Sequence, residues 1–145
     1  MWMDTKYEPG TVKVIAYDKD GNAVAEKEMK TAGKPYRIEL TADRDKIMAD
    51  GKDLSFVTVK IVDKDGNLCP TAANEITFKV KGKGYYRAGA NGDPTSLESF
   101  QAPHMKVFSG MMTAIVSSTE ESGKITLEAT SKGLKKATLV IESGK

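Results

Sequence analysis

The sequence predicts an all-β protein: an antiparallel β-sandwich of about seven strands with an extra β-hairpin at the N-terminus. Three observations carry this. Almost every apolar stretch alternates one residue in, one residue out, the period of a strand with one buried face. No segment sustains a 3.6-residue period. The pentapeptide Asp-Lys-Asp-Gly-Asn occurs twice, at Asp18–Asn22 and at Asp63–Asn67, each time between two alternating stretches. Glycine takes positive φ without a Cβ clash, and Asp and Asn hydrogen-bond their own backbone, so each copy reads as a hairpin turn.

Taken in order, Val12–Tyr17 and Val24–Met29 flank the first turn and form one hairpin. A lone hairpin is marginal in water, so this one must dock on the sandwich, pair with another chain, or belong to a further domain. Thr31-Ala32-Gly33-Lys34-Pro35 reads as a short linker. Beyond it, Tyr36, Ile38 and Leu40 alternate with Arg37, Glu39 and Thr41, and Val57, Val59 and Ile61 alternate with Thr58 and Lys60. Ile76, Phe78 and Val80 form a third set, Ile125, Leu127 and Ala129 a fourth, and Ala137, Leu139 and Ile141 a fifth. Two more strands are expected near Tyr85–Ala88 and Met112–Ser117; the second has no clear face, because Met111 to Val116 is apolar almost throughout. Turn signals divide the runs at Asp50-Gly51, Asp65-Gly66, Lys81-Gly82, Asn91-Gly92, Ser122-Gly123 and Lys132-Gly133. One helical turn is expected at Pro94–Phe100, with Asp93 as its N-cap. Short strands at this spacing predict the immunoglobulin-like sandwich. The antibody-type cysteine pair is missing, so the interior must rest on apolar burial.

Composition narrows the function classes. The chain has 145 residues, 39% hydrophobic and 29% charged, which suits a folded globular protein. Its net charge is +2 with both signs interspersed, so nucleic acid is not an expected partner. The apolar runs are far shorter than a membrane span, so no membrane insertion is expected. Cys69 is the sole cysteine and precedes Pro70 beside a turn, which points to packing and not to a reactive thiol. Met1-Trp2-Met3-Asp4 lacks the charged start and apolar core of a signal peptide.

No residue set points to catalysis, a cofactor or a metal. The two turns fail as calcium loops: placing glycine sixth puts Ala16 or Ile61 first and Lys27 or Ala72 at the bidentate glutamate position. Glycoside hydrolysis needs two carboxyl groups about 5–10 Å apart on a rigid scaffold. Asp43 with Asp45 and Glu120 with Glu121 are the closest pairs, and both sit near turns. His104 is the sole histidine and follows Pro103 in a loop, with no cysteine or acidic cluster nearby in the sequence. Lys81-Gly82-Lys83-Gly84 precedes no helix, so it reads as a strand connection and not a phosphate cradle. The candidate contact residues are Tyr85, Tyr86, Asn91 and Asp93, since aromatic faces beside amides and carboxylates suit a carbohydrate or a neighbouring domain. Turn chemistry explains the same residue types: Asn91 and Asp93 would shape the turn before Pro94 while a tyrosine packs inward.

Several motifs together carry a family resemblance. Tyr7-Glu8-Pro9-Gly10-Thr11 followed by Val14-Ile15-Ala16-Tyr17-Asp18 resembles the end of an immunoglobulin-like domain behind the catalytic barrel of bacterial β-galactosidases of glycoside hydrolase family 2. Thr31-Ala32-Gly33-Lys34-Pro35 resembles the family's T-A-G-x-P junction. Ala42-Asp43-Arg44, Ala49-Asp50-Gly51-Lys52-Asp53-Leu54 and Val57-Thr58-Val59 resemble the opening of its next domain, and Asn91-Gly92-Asp93-Pro94-Thr95-Ser96 its G-N-G-D-P-T-S loop, with Ala90 where a glycine is common. The resemblance implies that residues 1–34 are the C-terminal hairpin and linker of one sandwich and 35–145 a complete second one. It also implies that the catalytic glutamates lie on an upstream barrel. The chain would then be a non-catalytic accessory region of a periplasmic, cell-surface or secreted β-galactosidase. Its partners would be the preceding domains, with carbohydrate as a candidate contact, and a fragment bearing an orphan hairpin could dimerise through it. A rival from another class is a spacer or receptor-binding module of an invasin-type surface adhesin, whose sandwiches are similar. A small independent lectin fits less well, because Trp2 is the sole tryptophan.

Overall fold

The computed structural model describes residues 6–145. Among the described residues, two strands, β1 (Thr11–Tyr17) and β2 (Ala23–Lys30), pair only with each other, and every residue of both is exposed. Nine further strands form the sandwich. Strands β3 (Arg37–Ala42), β5 (Leu54–Val62), β9 (Met111–Ser118) and β7 (Gly84–Ala90) lie side by side in that order as one sheet. The other sheet runs β4 (Lys46–Met48), β11 (Ala137–Gly144), β10 (Gly123–Thr130), β6 (Glu75–Gly82) and β8 (His104–Lys106).

The alternation read from the sequence is the one that packs. Val57, Val59 and Ile61 of β5, Ile76 of β6, and Ile125 and Leu127 of β10 are fully buried, and Ile141 of β11 joins them between the sheets. The intervening residues face solvent, each buried aliphatic contributing about 1.5–3 kcal/mol of transfer free energy. The ambiguous stretch before Ser117 resolves cleanly. Met112, Ala114 and Val116 turn inward, and Met111, Thr113 and Ile115 form the outer face.

The chain changes sheets twice near β7. Gly82 ends β6 in one sheet and Gly84 opens β7 in the other, so the Lys81–Gly84 run is a strand connection. The β7–β8 loop then carries the chain back.

The all-β sandwich is the expected one, with three differences of detail. The sandwich has two extra strands, β4 and β8, of three residues each. It is not wholly antiparallel, since β4 pairs parallel with β11. Pro94–Phe100 is not a helical turn: Asp93 O accepts from Ser96 N at 3.2 Å as a single reverse turn, and Gly89 N→Phe100 O at 2.7 Å pulls the far end back onto β7. A loop pinned at that point has no length left to propagate a helix.

Candidate functional site

The loop between β7 and β8 is built by backbone capture. Asn91 Nδ2 donates to Lys106 O at 3.0 Å, and its Oδ1 accepts from Asp93 N at 3.0 Å. Asp93 Oδ1 accepts from Thr95 N at 2.8 Å and Thr95 Oγ1 at 2.7 Å; the Thr95 N–H leads in holding its carboxyl below the usual carboxylate range. Glu98 Oε1 accepts from Lys106 N at 3.2 Å, which staples the middle of the loop to β8. The polar groups of Asn91 and Asp93 are therefore engaged in shaping the loop, as turn chemistry implies.

The two tyrosines part company. Tyr86 packs against the core, stacked on Phe78 at 5.3 Å between ring centroids. Its hydroxyl is buried with no hydrogen-bond partner among the described residues, and burial pushes its phenol up to about 12. Tyr85 lies on the opposite face, 41% exposed. The β7 register carries a bulge between Tyr86 and Ala88, which sets how the chain enters the loop. The structure thus brings Asn91 and Asp93 together, leaves Tyr85 on the outer sheet face, and places Tyr86 in the interior.

The loop also presents two residues that the sequence reading passed over. Leu97 is fully exposed and Phe100 is 62% exposed. Tyr85 and Phe56, on the outer face of the same sheet, are each more than a third exposed. The missed signal was an apolar pair inside a polar, turn-rich segment, where neither residue has a strand period to explain it.

Elsewhere, carboxylates hold the fold. Asp43 Oδ1 accepts from Phe56 N at 2.8 Å and Arg44 N at 2.7 Å, and Glu121 pairs with Lys83. Asp53 accepts from Met48 N at 2.7 Å, Arg44 Nη2 at 2.9 Å and Leu54 N at 2.9 Å; the Met48 N–H leads in lowering its carboxyl. His104 Nδ1 lies 3.8 Å from Glu75 Oε2 on the surface. Among the described residues no group of three or more His, Cys, Asp or Glu is placed to hold a metal ion. Two open depressions of about 470 Å³ each lie beside Arg44, Asp53 and Glu142 and beside Asn74, Thr77 and Thr130. Neither adjoins the β7–β8 loop.

Comparison with known proteins places this geometry. The model for glycoside hydrolase family 2 C-terminal domain 5 matches residues 38–140, and a second model, described only as a domain of unknown function, matches residues 1–25. The chain is 49% identical over 138 residues to the beta-galactosidase BoGH2A of Bacteroides ovatus, a match covering 95% of this chain and 16% of that protein. It is 28% identical over 140 residues to a beta-glucuronidase of Formosa agariphila, covering 94% of this chain and 14% of that protein. Among solved structures, a glycosyl hydrolase family 2 member from Bacteroides cellulosilyticus superposes with a TM-score of 0.89 at 35% identity, over 97% of this chain and 18% of that one. The D00-D0 domain of intimin superposes with a TM-score of 0.58 at 16% identity, a likeness of fold alone. This chain thus spans less than a fifth of the length of the glycosidases it matches. With most of the sandwich inside the first model, the chain belongs to glycoside hydrolase family 2, as a C-terminal domain 5 region.

Proposed function

We propose that this chain is a non-catalytic accessory region of a larger, exported β-galactosidase, and that its work is domain packing. The carrying observation is the match of residues 38–140 to a C-terminal domain model inside proteins about six times longer. On this reading residues 1–34 finish a preceding sandwich and 35–145 form the next, supported by the separate model over residues 1–25 and by the isolation of the β1–β2 sheet. Galactoside specificity is favoured by the 49% identity to BoGH2A over the 28% identity to the glucuronidase. The β7–β8 loop, with Leu97 and Phe100 exposed and Asn91 and Asp93 fixing its shape, is the contact surface toward a neighbouring domain or a carbohydrate chain, and Tyr85 on the outer face of β7 is a second candidate contact. Export to the periplasm, cell surface or medium belongs to the same reading. Where the hairpin's own unit is missing, its unpaired edges favour dimers of the fragment.

The test removes residues 35–145 from the parent polypeptide. The expected result is lower thermal stability of the remainder, with turnover of a β-galactoside retained per folded molecule. Loss of turnover with the remainder still folded and equally stable would place chemistry in this region and overturn the proposal.

A further inference from the structure

The repeated pentapeptide folds identically in its two copies. In the first, Asp18 Oδ1 accepts from Asp20 N and Asn22 N, each at 2.9 Å, Oδ2 accepts from Asn22 Nδ2 at 3.1 Å, and Asp18 N donates to Asn22 O at 2.9 Å. In the second, Asp63 Oδ1 accepts from Asp65 N at 2.9 Å and Asn67 N at 2.8 Å, Oδ2 accepts from Asn67 Nδ2 at 3.1 Å, and Asp63 N donates to Asn67 O at 3.0 Å. The glycines match too, at φ 83° for Gly21 and 90° for Gly66.

Contacts with the rest of the chain separate them, the bond to Gly33 above all. Asp63 Oδ2 also accepts from Gly33 N at 2.7 Å, and Gly33 lies in the linker that enters the sandwich. Around this bond, Ala32 packs on the core, and Arg37 Nη1 donates to Asp63 O at 3.3 Å and Lys64 O at 3.1 Å. Asp63 is 3% exposed, whereas Asp18 is exposed. The second copy is therefore a turn whose spare carboxylate oxygen fixes an incoming chain segment. In the first copy, among the described residues, that oxygen accepts only the Asn22 amide.

Placement makes the comparison specific. The linker meets the sandwich at the Asp63 turn. Strand β2 runs from the Asp18 turn down to the linker over 8 residues, a span of about 26 Å at 3.3 Å per residue. The Asp18 turn therefore lies at the end of the hairpin away from its exit. In the sandwich, the turn between the last two strands, β10 and β11, lies where the linker enters, with Lys135 N donating to Tyr36 O at 3.0 Å; a preceding unit of the same plan would receive its own entering segment at the Asp18 turn. The hairpin also carries an uncovered apolar face, with Val12 opposite Met29 and Ala16 opposite Ala25.

We infer that Asp18 is a second linker anchor. Its Oδ2 takes a backbone N–H from an extended, small-residue segment of the same polypeptide, the one leading into the unit that the hairpin completes. This rests on the reading above that residues 1–34 belong to a preceding unit. A carboxylate suits the task because it is acceptor-only and each oxygen takes more than one donor. Its bond to an N–H is charge-assisted. A space of 3.5 Å between the Asp63 Oδ2 and a Cβ built on Gly33 shows that the donor residue can be glycine or alanine.

The experiment follows amide hydrogen exchange in the parent polypeptide carrying the preceding unit, with Asp18→Asn and Asp63→Asn introduced singly. Asparagine keeps the Oδ1 acceptor that shapes the turn and puts an N–H₂ donor where Oδ2 was. Asp63→Asn should speed exchange at Gly33 about tenfold or more, the size expected for one lost charge-assisted bond. Asp18→Asn should do the same at one amide of the upstream linker. A protected hairpin with unchanged upstream exchange in Asp18→Asn overturns the anchor alone. Hairpin amides that exchange as fast in the longer polypeptide as in the 145-residue chain overturn both the anchor and the two-unit reading.

Discussion

Gly84→Ala tests how closely the two layers approach, because a methyl group there has nowhere to go. A Cβ at Gly84 would lie 2.6 Å from Ser117 O on β9, and 2.7 and 2.9 Å from Ile125 Cδ1 and Cγ2 on β10 of the facing sheet. Ordinary contact is 3.4–4 Å, and Ile125 is fully buried. Relief therefore requires the sheets to part or Ile125 to leave its rotamer. Overpacking of this kind costs about 1–3 kcal/mol. With one contact on a backbone oxygen, the upper half of that range applies. The smaller entropy of the unfolded alanine chain offsets about 0.4–1 kcal/mol, leaving a net loss of about 2 kcal/mol. For a domain of this size that is a fall in Tm of roughly 8 °C. Gly144→Ala is the control, since a Cβ at Gly144 meets nothing within 4 Å. Its effect should be within about 0.5 kcal/mol of zero, as for most surface changes. Urea unfolding of both variants measures the contrast. Equal losses, or a neutral Gly84→Ala, would show that the layers do not close at this point and refute the packing argument.

Three other outcomes follow from single groups. Tyr86→Phe removes a buried hydroxyl with no partner among the described residues, so stability should be unchanged or rise by up to about 1 kcal/mol; a clear loss in urea unfolding would mean that the hydroxyl has a partner. The Gly33 N–H leads in holding the Asp63 carboxyl down at about 2 against its ordinary 3.8. A depressed carboxyl stabilises the fold above its unfolded value and loses that contribution as pH falls through the folded one. Tm should therefore fall between about pH 4 and pH 2, and less steeply in Asp63→Asn; an identical acid limb in the variant would contradict the assignment. Burial raises the Cys69 thiol, which is 2% exposed. A thiol-specific disulfide reagent at neutral pH should label it only on unfolding, and rapid native labelling would show that the Asp63–Cys69 corner opens.

Period-two alternation gave the long strands and their inward faces, because burial on one side of a strand leaves its trace in every second residue. The short strands left none: Lys46–Met48 and His104–Lys106 span three residues each, too few to show a period, and exist because longer neighbours offer them partners. The parallel seating of Lys46–Met48 on Glu142–Gly144 is set by how far the chain must travel, which local pattern does not encode. Asp93 and Pro94 look like a helix start by residue type, but the Gly89–Phe100 hydrogen bond decides the loop. At the candidate contact, the turn roles of Asn91 and Asp93 were legible from their chemistry. The opposite fates of Tyr85 and Tyr86 were legible only as alternation. The exposure of Leu97 and Phe100 was not legible, since a polar loop gives no rule for where its apolar residues point. The reach of Asp63 to Gly33 joins two segments about 30 positions apart and is visible only in the folded chain.

The central claim is that this region packs and does not catalyse. Hydrolysis of a chromogenic β-galactoside by the purified 145-residue chain tests it most directly. No turnover above buffer at high protein concentration, beside full turnover by the parent polypeptide, is the predicted result. Turnover that co-elutes with the chain and survives repurification would contradict it.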